Sequence, residues 1–95
     1  MNNFFYVYVL YSEKDNDKYT GYTSNLAQRL KSHKDGDVES TKYRRPMHLI
    51  YFEGCLNEMD AKRREKYLKT KNGKMFLGNR LKSYLNAPPS FTEKE

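Results

Sequence analysis

The chain has one cysteine, no tryptophan, two histidines and three prolines in 95 residues. A single thiol, Cys55, excludes an intrachain disulfide and a multi-cysteine zinc site. With only His33 and His48 beside it, a zinc centre of the usual kind is short of ligands. Cys55 ends an apolar run and reads as a packed thiol. Long apolar stretches are also missing, since Phe4 to Tyr11 falls well short of a membrane span. No secretory leader pattern is visible, so the expectation is a cytoplasmic protein without membrane association. Acidic residues are scarce along one stretch: residues 62–82 carry nine Lys or Arg against one Glu. With a net charge of +6, this surplus favours a polyanionic partner such as nucleic acid.

What is present suffices for one small α+β domain over residues 1–86, with a flexible tail over 87–95. Phe4 to Tyr11 is β-branched and aromatic and predicts a strand. Ser12 to Asp17 is a polar turn, and Lys18 to Tyr22 returns as a second strand. Thr23 or Ser24 is the expected cap of a helix with Leu26, Leu30 and His33 inward, ended by Asp35-Gly36-Asp37. After a polar loop, His48 to Phe52 makes a third strand. Asn57 caps the next helix, with Asp60 in a capping-box-like position. Asn72-Gly73 reads as a stop, and Met75, Phe76, Leu77, Leu81, Tyr84 and Leu85 give the apolar side of a final helix. The order is β-β-α-β-α-α, a three-stranded antiparallel sheet flanked by helices.

Within that frame Glu65 stands out. It is the only acidic residue between Lys62 and Arg80, and helical spacing puts it on the inner face with Ala61 and Leu68. A carboxylate there needs a cation, a donor or a metal. A divalent ion beside phosphate-attracting Lys and Arg is equipment for phosphodiester hydrolysis. The rival is an ion pair with Lys62 or Lys69 that turns Glu65 away from the tyrosines. Those tyrosines are dense in the hairpin, where Tyr19 can approach Tyr8 across the strands. Arg29 and His33, four residues apart, project from one side of the following helix.

Taken together, Val7-Tyr8-Val9, Tyr19-Thr20-Gly21, Arg29, His33 and a helical Glu65 resemble the GIY-YIG nuclease family, in particular its compact single-domain bacterial members. The resemblance runs from about residue 4 to 85. It departs from the family name in reading Tyr6-Val7-Tyr8 and Tyr19-Thr20-Gly21, where the changed positions are packing residues. The resemblance implies catalytic roles for Tyr8, Tyr19, Arg29, His33 and Glu65, with Glu65 holding one Mg²⁺ or Mn²⁺. It also implies an accessory asparagine, Asn79 or Asn72. Either Tyr8 or Tyr19 would be the general base, and phenolate at that base would have to be favoured by the metal, Arg29 or Lys18.

Phosphate contacts are expected from Lys18, Lys42, Tyr43, Arg44, Arg45, Lys62, Arg63, Lys66 and Lys69. The implied activity is a metal-dependent endonuclease on DNA, directed by structure rather than sequence, with RNA left open. The alternatives are a non-catalytic nucleic-acid-binding module of the same fold and a small interaction protein with a basic face.

Overall fold

The computed structural model describes residues 3–87; beyond Ala87 the expected tail lies outside them. Three antiparallel strands form one sheet in the order β2-β1-β3, with β1 Phe5–Ser12, β2 Lys18–Thr23 and β3 Met47–Cys55. β1 is the central strand, which is why its residues Val7 to Leu10 are buried on both faces and do not alternate with polar ones. In β3, Ile50 is the extra residue of a bulge, since Val9 pairs with Tyr51 and Leu10 with Leu49.

Helix α1 (Leu26–Asp35) covers the face of β1 that carries Tyr8 and Leu10. It is capped by Asn25, whose side chain accepts from the Gln28 amide, and not by Thr23 or Ser24. Thr23 instead supports the cap, bonding both the amide and the carbonyl of Asn25. Gly36 closes the helix in the left-handed region at φ 81°.

Helices α2 (Glu58–Leu68) and α3 (Lys71–Arg80) cover the opposite face, where Val7, Val9, Ala61, Leu68 and Leu77 form the core. Asn57 caps α2 as expected, accepting from the Met59 and Asp60 amides. Asp60 does not return the bond and pairs with Arg63 at 2.9 Å.

Asn72-Gly73 is not a stop. The break falls earlier, where Thr70 accepts from the Gly73 amide and donates to the Tyr67 carbonyl. Gly73 is there for close approach: a Cβ would lie 2.0 Å from the Tyr67 carbonyl oxygen. The expected last helix is thus α3 followed by a short α4 (Lys82–Asn86), and Met75 is 59% exposed instead of packed. No helix among the described residues is long and apolar enough to cross a membrane.

Candidate active site

Tyr8 sits mid-strand in β1, with no solvent exposure. Its partner across the hairpin is Gly21, and a Cβ there would come within 2.5 Å of both Cζ and the hydroxyl oxygen of Tyr8. The missing side chain lets the phenol lie across β2. There its hydroxyl lies 2.7 Å from Nε2 of His33 and accepts a longer bond, 3.4 Å, from Nε of Arg29. Both partners come from one side of α1, one turn apart. Tyr19 completes the cluster, its ring 6.4 Å from that of Tyr8 and 5.3 Å from that of His33.

The second ring nitrogen of His33, Nδ1, lies 2.7 Å from Oγ1 of Thr41, which is fully buried in the loop after α1. Thr41 was not legible as a site residue, because nothing periodic links a loop hydroxyl to a helix eight residues earlier. Burial, and then the Arg29 charge, push the His33 pKa down from 6.5 to about 4, so the ring is neutral at neutral pH. A neutral ring has one donor and one acceptor. With the proton on Nδ1, His33 donates to Thr41 and accepts the Tyr8 proton; with it on Nε2, Thr41 donates to His33 and His33 donates to Tyr8. Each hydroxyl can donate or accept, so the row accommodates either tautomer of His33.

The electrostatics at Tyr8 pull in both directions. Burial raises the pKa of Tyr8; Arg29 opposes this, while Tyr19 and the Glu65 carboxylate add to it. A standing phenolate at Tyr8 is therefore disfavoured in the free protein. The guanidinium of Arg29 is held firmly charged, first by its bond to Tyr8.

Glu65 lies on α2 between buried Ala61 and Leu68, its side chain 23% exposed. Oε2 pairs with the Lys69 ammonium at 2.8 Å, one of the two ion pairs weighed from the sequence. The carboxylate still lies close enough for its charge to be felt at Tyr8. Among the described residues, no group of three or more His, Cys, Asp or Glu is placed to hold a metal. One half-buried carboxylate fits an ion such as Mg²⁺, which keeps several waters and takes one or two protein carboxylates. It does not fit a dehydrated, all-protein site.

Several expected phosphate contacts have other partners. Arg44 grips Asp15 at 2.6 Å in the hairpin turn, and Arg45 donates to the carbonyls of Lys42 and Lys34. Lys42 pairs with Glu39, Lys62 with Glu58, and Arg63 with Asp60. Tyr43 is exposed and Lys66 forms no ion pair with a described residue. Lys18 and Lys69 line a cleft of 390 Å³ between the start of β2 and the α2–α3 corner, which Tyr19 and Lys74 also line. A separate cleft of 720 Å³ between α1 and β3 is mostly apolar and touches the cluster only through His33. Asn72 and Asn79 are exposed on α3, with no side-chain bond to the cluster.

The model of the GIY-YIG catalytic domain matches residues 4–86. The chain belongs to the GIY-YIG family. Its relatives include a UPF0213 protein of Clostridium perfringens, 44% identical over 75 residues, spanning 76% of this chain and 80% of the relative. The UPF0213 protein YazA of Bacillus subtilis is 44% identical over 69 residues, 72% of this chain and 67% of the relative. The solution NMR structure of a UPF0213 protein from Bacillus halodurans matches with a TM-score of 0.50 and 30% identity, over 90% of this chain and 88% of that one. The GIY-YIG domain is a nuclease domain, and small single-domain bacterial proteins of this kind share the three-stranded α+β fold.

Proposed function

We propose that this GIY-YIG protein is a divalent-metal-dependent endonuclease that hydrolyses phosphodiester bonds in DNA, reading backbone shape rather than sequence. The observation that carries this is the Tyr8 hydroxyl, buried yet bonded to His33 and Arg29 within the field of Glu65. Glu65 and solvent waters would hold Mg²⁺ or Mn²⁺. When bound, the ion supplies a Lewis acid that polarises the scissile phosphate and offsets charge on the leaving oxygen.

The remaining work belongs to the chain. Arg29 binds the phosphate and stabilises the extra negative charge as the new P–O bond forms. Tyr8 takes the proton of the attacking water while passing its own to Nε2 of His33. Such a concerted exchange avoids the disfavoured standing phenolate. The charge on His33 that results is opposed by burial and Arg29 and favoured by the phosphate anion beside them. Thr41 accepts from Nδ1–H in the tautomer whose Nε2 takes the Tyr8 proton, and Tyr19 packs against both rings. As the old P–O bond breaks, the leaving oxygen collects a proton from solvent. Once the product leaves, His33 gives its extra proton up to solvent, which restores the neutral pair.

The reading of a binding module without turnover is favoured by one observation, the Glu65–Lys69 ion pair. Cleavage of labelled single-stranded, duplex, flapped and branched DNAs with Mg²⁺ or Mn²⁺ separates the two. Cutting that Tyr8→Phe abolishes while binding persists supports the nuclease; salt-sensitive binding with no cutting supports the module.

A further inference from the structure

Lys69 meets two sites at once. Its ammonium pairs with Oε2 of Glu65 at 2.8 Å, one helical turn back, and the same residue lines the 390 Å³ cleft with Lys18 and Lys74. Neither Lys18 nor Lys74 forms an ion pair with a described residue, so with Lys69 paired to Glu65 the cleft still presents two ammonium groups beside one lining carboxylate, Asp17. Lys69 ends α2 as its cap residue and its side chain is 54% exposed, which leaves its four-carbon stem free to turn. An i,i+4 pair whose lysine end is open to solvent is worth about 1 kcal/mol or less, so a competing anion can draw the lysine away.

We propose that Lys69 is a two-position residue that links substrate binding to metal binding. In the free protein it neutralises Glu65 and keeps divalent cations off that carboxylate. When a nucleic-acid backbone enters, Lys69 swings into the cleft and, with Lys18 and Lys74, takes a phosphate next to the scissile one. Glu65 is then released to bind the ion. By linkage, metal and backbone phosphate each raise affinity for the other, and the ion is recruited where there is a phosphate to cut. The inference rests on the metal role given to Glu65 above.

The test is Mn²⁺ binding to the free protein, read by electron paramagnetic resonance at low salt. It compares wild type, Lys69→Met, Lys66→Met, Glu65→Gln and the Glu65→Gln/Lys69→Met double variant, with folding checked by thermal melting. Lys69→Met should bind Mn²⁺ several-fold to about tenfold more tightly, the size expected for removing one cation beside a divalent ion in a solvated setting. Lys66→Met removes the same charge from the same helix but not from Glu65, and should match wild type. Glu65→Gln should remove the binding in either background.

In a second arm, binding of a labelled duplex is followed against salt without divalent metal. Lys18→Met, Lys69→Met and Lys74→Met should each lower the slope by about one. An Mn²⁺ affinity unchanged by Lys69→Met, while Glu65→Gln still abolishes binding, overturns the proposal and leaves the metal site standing. Mn²⁺ binding indifferent to Glu65 in every background overturns the metal site itself. Salt slopes unchanged in all three lysine variants overturn the phosphate half.

Discussion

Lowering the pH from 7 to 4 should titrate His33 against the fold. The ring is 2% exposed, and burial, helped by the Arg29 charge, depresses its pKa from 6.5 to about 4. The unfolded chain regains the ordinary value, so it binds a proton that the folded chain refuses. The stabilising preference for the neutral ring is thus complete above pH 6.5 and is lost as the pH falls through about 4. At about 1.36 kcal/mol per pH unit, the loss reaches about 2 kcal/mol at pH 5 and about 3 kcal/mol at pH 4. A domain of this size has roughly 5–10 kcal/mol in all, so the effect is large.

The assay is urea unfolding at half-unit pH steps, followed by far-ultraviolet circular dichroism or by the emission of nine tyrosines in a chain without tryptophan. His33→Gln should be less stable at pH 7 by about 1–3 kcal/mol, because Tyr8 and Thr41 lose a well-placed partner. Between pH 6.5 and 4 it should lose much less stability than wild type. Asp15, held down to about 2 by its bond to Arg44, stabilises the fold above its ordinary 3.8 and loses that contribution mainly as the pH falls from there towards 2, below this window. Parallel losses in wild type and variant, or an imidazole NMR midpoint near 6.5 for His33, would refute the reasoning.

Gly21→Ala should drive the Tyr8 ring off its position, costing about 1–3 kcal/mol and most of any cleavage while leaving DNA binding near normal; denaturation and gel shift read the two effects. Tyr8→Phe should lower cleavage by about 10²–10⁴, the usual contribution of a general acid–base group, in single-turnover assays. Gly73→Ala and Gly78→Ala make a matched pair on α3. The first must displace the Tyr67 carbonyl and should lower the melting temperature, whereas the second meets nothing within 4 Å and should be neutral or stabilise by about 0.5–1 kcal/mol.

The order of elements was legible because each carries its own period: an aromatic and β-branched run for β1, and Ala61, Glu65 and Leu68 at helical spacing for α2. Arg29 and His33 could be paired for the same reason, and the structure brings both to Tyr8. What periodicity does not carry depends on contacts between elements. Thr41 acts on His33 from a loop, and Gly21, visible in the sequence as part of a motif, owes its place to a ring on the neighbouring strand. Asn72-Gly73 has the letters of a helix stop, but Gly73 is set by the Tyr67 carbonyl beneath it. Arg44 and Arg45 count as basic residues in any sequence tally, yet their guanidinium groups are spent on Asp15 and on backbone carbonyls.

The central claim is that Glu65 serves a metal-dependent cut at the Tyr8 cluster. Its most direct test is single-turnover cleavage of labelled branched and duplex DNA at low salt with Mg²⁺ or Mn²⁺, wild type beside Glu65→Ala. The account predicts cutting that chelator abolishes and Glu65→Ala abolishes, with DNA binding retained. Cutting that survives Glu65→Ala would contradict it, as would no cutting by a wild type that binds the same DNA.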